Sequence, residues 1–256
     1  MLEQGQMLEQ GICRAGDVLR QFAALPLCGL ETLTNDATVL VLAPHADDES
    51  LGCGGLIAEA CRRGQPPVVA VLTDGIGSHP NSPSHPPAVL RARREREARN
   101  ATAILGLPPE RLYFLGVRDT SGPMAGPEFD RAVAELLRLV GHHDCRLIAS
   151  PWRHDPHCDH EAAHAMAVAA ADAAGVRLLS YPVWGWTLPQ DASLPDVAVA
   201  GWRLDMAAHL PAKRRAIAAH ATQYSDAITD DPTGFRLPPG LLAVFDRPYE
   251  VYLTTP

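Results

Sequence analysis

Residues 38–55, TVLVLAPHADDESLGCGG, are the part of this chain that most clearly indicates its fold class. It opens with an apolar run, Thr38 to Leu42, that is typical of a buried β-strand. Polar side chains follow where that strand ends, namely His45, Asp47, Asp48 and Glu49. In open α/β sheets the ligand crevice lies outside the carboxyl ends of the strands, so we expect a functional site at this point.

A second cluster of histidine and aspartate, residues 154–160, follows the later apolar run 146–150 in the same manner. Such segments are often solvated loops or helix caps, and one cluster alone would favour that interpretation. Two strand exits can converge on one ion, however, and their side chains would supply the three protein ligands of a catalytic zinc. The pair of clusters therefore favours a metal site that keeps a fourth position for water.

The first cluster continues into a longer motif, because Pro44 to Gly55 closely resembles the signature of the PIG-L/LmbE-like zinc-dependent N-deacetylases. The resemblance covers roughly residues 38 to 224. Its further matches are Leu72-Thr73-Asp74-Gly75, Arg94 with Glu97, Arg118-Asp119 and His157-Cys158-Asp159-His160.

The resemblance implies a role for each matched site residue. The metal ligands would be His45, Asp48 and His160. Asp47 would act as general base toward the metal-bound water, His157 as acid or oxyanion partner, and Asp159 would orient a histidine. Arg94 and Asp119 match family positions that contact the sugar.

These residues would meet the needs of amide hydrolysis, which are a nucleophile, a polarised carbonyl and a proton for the departing amine. The leading hypothesis is a zinc hydrolase, with Fe²⁺ as the alternative metal, that deacetylates an N-acetylglucosamine-type sugar or glycoconjugate. One alternative is a related zinc amidase acting on a larger acyl group or a thiol-conjugate amide. Another is a non-catalytic sugar-binding protein on the same fold. The aglycone and the oligomeric state stay open.

Composition excludes other classes of partner. The formal net charge of −8 and a pI near 5.7 speak against a nucleic-acid surface. The arginines between residues 91 and 99 alternate with glutamates, which predicts a solvated helical face with ion pairs, Arg94 excepted. No apolar stretch reaches the length of a membrane span. The six cysteines lack paired spacing, which suggests reduced thiols and a cytoplasmic protein.

Apolar runs near 38–43, 67–73, 111–115, 145–150 and 177–183 predict five strands, with helices between them. This alternation indicates βαβ units, and hence an α/β, Rossmann-like, mostly parallel sheet with helices on both faces. We predict a single domain over residues 37–256, with residues 1–36 as an N-terminal extension packed on it. Further strands are expected over 196–206 and 249–253, with a helix over 211–223 between them.

The glycines after the first strand do not form a dinucleotide-binding fingerprint, because GxGxxG from Gly52 requires glycine at the position of Ile57. We expect a helix that begins near Gly52 and uses the glycines for close packing. Residues 75–87 read as a loop whose histidines, His79 and His85, should face solvent. Trp184 and Trp186 could form an apolar wall for a sugar ring or pack in the core, and the sequence favours neither.

Overall fold

A computed structural model of the protein describes residues 12–195 and 197–254. Helices cover both faces of an eight-stranded, mostly parallel sheet, which confirms the predicted Rossmann-like α/β class. Residues 1–11, 196 and 255–256 of the predicted segments lie outside the described residues. The division into an extension over 1–36 and a domain over 37–256 stays a prediction.

The strands are β1 Ile12–Arg14, β2 Leu27–Cys28, β3 Thr38–Ala43, β4 Val68–Thr73, β5 Leu112–Val117, β6 Cys145–Pro151, β7 Arg177–Tyr181, β8 Ser193–Pro195, β9 Gly201–Asp205 and β10 Tyr249–Thr254. The α-helices are α1 Ala15–Ala24, α2 Leu30–Thr34, α3 Asp48–Arg62, α4 Pro87–Ile104, α5 Pro127–His142, α6 Cys158–Ala174, α7 Leu210–Ala219, α8 Ala221–Tyr224 and α9 Pro239–Val244. All five predicted core strands are present, each within a few residues of its expected bounds.

The strand order in the main sheet is β2-β9-β10-β7-β6-β3-β4-β5. Strands β7, β6, β3, β4 and β5 pair in parallel, while β10 is antiparallel to both of its neighbours. From β3 the chain proceeds to β4 and β5 on one side, then crosses to β6 and β7 on the other. The topological switch therefore lies between β3 and β6, where such sheets form their ligand crevice.

Strand β3 explains why helices are needed on both faces. Successive side chains point to opposite sides of a strand. Val39 and Val41 belong to the apolar cluster that includes residues of α3, whereas Leu40 and Leu42 belong to the one that includes residues of α5 and α6. An uninterrupted apolar run of this kind is typical of a parallel strand buried on both faces.

Helix α3 begins at Asp48, four residues before the start predicted near Gly52. The prediction was wrong because acidic side chains are favoured in the first helical turn, where they face the positive end of the helix dipole. The packing role of the glycines is confirmed. A Cβ atom at Gly52 would lie 2.2 Å from the ring of Tyr181, and one at Gly55 would lie 2.5 Å from Met206.

Helix α4 has the predicted charged, solvated face. Arg91 and Arg99 both pair with Glu95, at 2.9 and 3.3 Å. Arg94 instead points inward and is 4% exposed. Residues 12–36 pack on the rest of the structure partly through Phe22, whose ring centroid lies 5.2 Å from that of Trp152. Among the described helices, none combines the length and apolarity needed to cross a bilayer.

Candidate active site

The candidate site lies at the switch between β3 and β6. Because β3 and β6 are parallel neighbours, their carboxyl ends open on the same edge of the sheet, and the two sequence clusters meet there. The structure brings together all eight residues predicted for the site. Asp159 and His160 contact His45 and Asp48 respectively. The other six line one cavity: His45, Asp47, Asp48, Arg94, Asp119 and His157.

Asp48 lies between two histidines. Its Oδ2 atom is 3.2 Å from Nδ1 of His45 and 3.2 Å from Nε2 of His160. The same oxygen accepts a hydrogen bond from the backbone N–H of His45 at 2.9 Å. Asp48 and His160 are buried, and His45 is nearly so. Two imidazoles and one carboxylate thus converge on one point.

The other nitrogen of each imidazole contacts a buried carboxylate. Nε2 of His45 lies 3.0 Å from Oδ2 of Asp159 and 3.3 Å from Oδ1 of Asp119. Nδ1 of His160 lies 3.0 Å from Oδ2 of Asp155. Carboxylate partners of this kind fix the tautomer of a metal-binding histidine and direct its free lone pair at the metal. In the neutral tautomer that these partners favour, both rings would present that lone pair toward Asp48.

A metal fits this donor set. Nε2 of His160 is a buried nitrogen without a hydrogen-bond partner among the described residues, although Asp48 is only 3.2 Å away. An unpaired buried polar atom is costly, so it calls for a ligand that the protein alone does not supply. His45, Asp48 and His160 would hold a cation in the way that histidine and carboxylate ligands hold a catalytic zinc. Ring nitrogens of His45, His157 and His160 also lie within 4.8 Å of one another.

The pKa values of Asp48 and His160 bear on how these residues would bind a cation. Burial alone would raise the pKa of Asp48, but His160 and His45 outweigh it and hold that pKa well below its usual value. Burial lowers the pKa of His160, yet Asp48 and Asp155 together raise it to about 9. Without a cation, the histidine therefore carries a proton at neutral pH. A metal that binds Nε2 replaces this proton, so its binding should weaken as the pH falls.

Asp47 has the environment of a base. It is 5% exposed and lines the cavity next to Asp48. Burial and, after it, the charge of Asp48 raise the pKa of Asp47 to about 6 against the opposing charge of Arg94. Oδ2 of Asp47 lies 3.7 Å from Nη2 of Arg94. A carboxylate with its pKa close to neutrality can accept a proton and release it again.

His157 is better suited to donate a hydrogen bond than to bind a metal. It is the N-cap of α6, where its Nδ1 atom accepts the backbone N–H of Asp159 at 3.2 Å. In a neutral imidazole the proton then resides on Nε2. Burial and, after it, the charges of His45 and His160 lower the pKa of His157, which favours the neutral ring. His157 therefore offers an N–H donor beside His45 and His160.

Arg94 and Asp119 form a polar part of the cavity wall. Arg94 donates from Nη1 to the carbonyl of Gly75 at 3.1 Å and from Nη2 to that of Ala46 at 3.0 Å, while its buried Nε has no partner among the described residues. Asp119 accepts the backbone N–H of Gly77 at 2.8 Å. These contacts fix both side chains against the loops that surround the cavity.

Glu49 and His220 support Asp47, a role that the sequence analysis missed. Glu49 accepts the backbone N–H of Asp47 at 3.0 Å and lies 2.8 Å from Nε2 of His220. Burial lowers the pKa of His220, but Glu49 outweighs it and raises that pKa. The motif contains Glu49 and could have indicated it. His220 is 171 residues away, at the break where the predicted helix 211–223 divides into α7 and α8.

Asp155 is a third residue whose role the sequence analysis missed. It accepts the backbone N–H groups of Val183, Trp184 and Gly185 at 2.9, 3.0 and 2.7 Å, besides its contact with His160. It is fully buried, and it connects the loop after β6 to the loop after β7. Its place in the second cluster was a signal, since histidine ligands commonly need a carboxylate partner nearby.

Of the two tryptophans, one lines the cavity and the other packs in the apolar core. Trp184 lines the cavity. Trp186 packs edge-to-face on Phe22, with ring centroids 5.6 Å apart, and belongs to the surrounding apolar core. Trp184 alone is therefore available to a ligand.

The expectation that His79 faces solvent was wrong, because its ring is 2% exposed. The loop that contains Gly234 covers it so closely that a Cβ atom at Gly234 would lie 2.2 Å from the ring. His85 is partly buried, and its Nε2 atom lies 2.7 Å from Nη1 of Arg93. The sequence of the loop could not indicate this cover, which comes from a segment about 150 residues later.

A Rossmann-like fold with paired histidines and buried aspartates at its switch point has the residues of a hydrolase with a candidate metal site. The chain belongs to the PIG-L family, since the family model described as GlcNAc-PI de-N-acetylase matches residues 40–171.

Known relatives agree with this family. The chain is 28% identical over 204 residues to a Bacillus anthracis protein named probable N-acetyl-alpha-D-glucosaminyl L-malate deacetylase 2, with 77% of this chain and 86% of the relative covered. It is 29% identical over 256 residues to a Nocardia farcinica protein named 1D-myo-inositol 2-acetamido-2-deoxy-alpha-D-glucopyranoside deacetylase, with 77% and 82% covered. The solved structure of N,N'-diacetylchitobiose deacetylase from Pyrococcus horikoshii shares its fold, with a TM-score of 0.65, 21% identity, and 89% and 87% covered.

Proposed function

We propose that this protein is a metal-dependent deacetylase that hydrolyses the acetamide of an N-acetylglucosamine-type amino sugar or glycoconjugate. Membership of the PIG-L family supports the reaction class, and so do the names of the two relatives. The observation that carries the proposal is the unpaired Nε2 of His160 beside Asp48 and His45, within a cavity that also contains a buried base.

His45, Asp48 and His160 would hold the metal, for which we propose Zn²⁺, with Fe²⁺ as the alternative. Three protein ligands of this kind leave a position open at a catalytic zinc. When bound, the ion supplies an activated water and polarises the acetyl oxygen. Asp159 and Asp155 keep the two imidazoles in the tautomers that ligation requires.

Asp47 would take the proton of the attacking water. Its raised pKa still leaves it ionised at neutral pH, and Glu49 fixes its backbone next to the ligand set. The proton held by Asp47 can then pass to the amide nitrogen, which must be protonated because an amide anion is too basic to leave. The same carboxyl group thus serves as base first and as acid afterwards.

His157 would stabilise the oxyanion that forms when water adds to the carbonyl. Its neutral ring carries the proton on Nε2, so the donor is in place before the charge develops. Of the two roles that the sequence left open, acid and oxyanion partner, the lowered pKa and the N-cap hydrogen bond support the second. Arg94 and Asp119 would contact sugar hydroxyl groups.

Acetate release tests the proposal directly. The purified protein, loaded with Zn²⁺, is incubated with a panel of N-acetylglucosamine derivatives, and free acetate is measured with and without a chelator. We expect release that the chelator abolishes and that fresh zinc restores. His160→Ala should be inactive and His142→Ala, an exposed histidine of α5, should match the wild type. A metal-loaded protein that releases no acetate from any member contradicts the proposal.

The same panel separates the proposed reaction from its alternatives. Derivatives with a longer acyl group, or an amide of a thiol conjugate, would be preferred by a related amidase. Tight binding of the sugars without any turnover would instead indicate a non-catalytic sugar-binding protein. The buried Asp47 and the donor on His157 favour turnover, because a site that only binds sugar needs neither of them.

A further inference from the structure

One side of the cavity is apolar. Trp184, Phe235 and Leu237 line it together with Leu51. The rings of Trp184 and Phe235 contact each other edge-to-face, with centroids 5.7 Å apart and planes at 66°. Both rings remain partly exposed, whereas the charged residues of the cavity are almost fully buried. The cavity therefore has charged residues at its bottom and an aromatic wall nearer to solvent. This arrangement is common in sites that bind small molecules.

This aromatic wall is held rigidly. Trp184 is fixed by Asp155, which accepts its backbone N–H and those of the residues on either side. The backbone N–H of Phe235 donates to the carbonyl of Ser78 at 2.7 Å, and that of Leu237 donates to the carbonyl of Gln223 at 2.8 Å. A wall that is ordered before the ligand arrives loses little entropy on binding.

The wall offers no partner to a negative charge. Among the described residues that line the cavity, the one arginine or lysine is Arg94. Its two terminal nitrogens donate to the carbonyls of Gly75 and Ala46, and its charge acts on Asp47 and Asp119. A carboxylate placed against Trp184 would lose part of its hydration without gaining a cation, which is unfavourable.

We propose that the group attached to the amino sugar, the aglycone, bears no negative charge and carries an aromatic ring or an alkyl chain that packs on Trp184 and Phe235. This inference rests on the proposed deacetylase function and names the substrate class within it. The acetamide and sugar hydroxyls occupy the charged bottom of the cavity, and the aglycone extends along the aromatic wall toward solvent. Carboxylate-bearing aglycones are poor substrates.

Three glycosides of N-acetylglucosamine test the proposal: methyl, phenyl and 4-carboxyphenyl. The kcat/KM for acetate release is measured for both anomers of each glycoside with the zinc-loaded protein. The three glycosides are then compared in the anomer with the higher kcat/KM. We expect the phenyl glycoside to exceed the methyl glycoside by about tenfold, as burial of a small apolar group in a formed pocket allows. The 4-carboxyphenyl glycoside should fall about tenfold below the phenyl one.

Two variants locate the effect on the wall. Trp184→Ala should bring the ratio of phenyl to methyl glycoside close to one. Phe235→Arg should raise the ratio of 4-carboxyphenyl to phenyl glycoside, because it supplies the missing cation. Val89→Ala, which removes an exposed apolar side chain from α4 outside the cavity, should keep the wild-type ratios.

The possible results separate the two proposals. Acetate release from the methyl glycoside, with equal or lower rates for the phenyl glycoside, overturns the inference about the aglycone and leaves the deacetylase function intact. No release from any of the three glycosides, by a protein that holds its metal, contradicts the deacetylase function itself. Wild-type ratios in both wall variants also overturn the inference, since another surface would then recognise the ring.

Discussion

Asp47 and Asp48 are adjacent in sequence, but their pKa values are shifted in opposite directions. The pKa of Asp47 is raised by burial and by its neighbour, while the histidines lower that of Asp48. Asp47→Asn should therefore keep the metal and lose about 10²–10⁴ in kcat, as expected for a lost general base. Asp48→Asn should lose the metal itself. Elemental analysis together with acetate release distinguishes the two, and the reverse pattern would exchange base and ligand.

His157→Ala should retain the metal and lower kcat by about 10²–10³, the usual effect of removing one donor to an oxyanion. His157→Gln, which keeps an N–H donor, should recover part of that loss. If His157 donates as a neutral ring, as proposed, both limbs of the pH–rate profile should persist in His157→Ala. A limb that disappears in the variant would show that His157 acts as an acid. His142→Ala serves as the control.

At the scale of elements, the close contact of α3 with β7 fixes the position of residues 44–47, the loop between β3 and α3. Gly52→Ala places a methyl group 2.2 Å from the ring of Tyr181, so it should lower the free energy of unfolding by about 1–3 kcal/mol. Gly141→Ala, on the exposed face of α5 with nothing within 4 Å, should raise it by about 0.5–1 kcal/mol. Urea denaturation measures both. Equal effects would mean that packing against Tyr181 is unimportant.

Asp155 connects the loops after β6 and β7, so its substitution should affect both. Asp155→Asn removes the negative charge beside Nδ1 of His160 and leaves one acceptor oxygen in place of the two that Asp155 uses, so we expect metal affinity to fall by about 10–100-fold. Competition with a chelator measures the dissociation constant. Asp246→Asn, at an exposed ion pair with Arg214, is the matched control. An unchanged affinity in Asp155→Asn would show that His160 needs no carboxylate partner.

For the whole molecule, the metal should act as a stabilising ligand. At a free zinc concentration 100 times the dissociation constant, binding contributes about 2.7 kcal/mol and should raise Tm by roughly 5–10 °C. Thermal melting of the chelated and the zinc-loaded protein measures the shift, and His160→Ala should show none. A shift of equal size in His160→Ala would place the metal elsewhere in the protein.

Much of the whole architecture could be predicted from the sequence because parallel strands buried on both faces have continuous apolar runs, as β3 and β4 do. The candidate ligands His45 and Asp48 could be predicted for a related reason, since they follow a strand directly and are close in sequence. The polar residues that contact the site residues from distant segments could not be predicted in this way. His220 reaches Glu49, and the loop around Gly234 covers His79, through contacts between segments about 150 or more residues apart. Local patterns contain no information about such contacts.

The shared anchor at Asp155 has a consequence for how substrate preference could change during evolution or in the laboratory. The carboxylate holds backbone groups of residues 183–185, while the side chain of Trp184 is left to the cavity. Exchanging that side chain alters what the pocket accepts without disturbing His160. Lengthening or shortening the segment would instead move the N–H groups that Asp155 binds. New specificities should therefore arise by substitution at Trp184 and Phe235, and insertions between β7 and Trp184 should abolish catalysis.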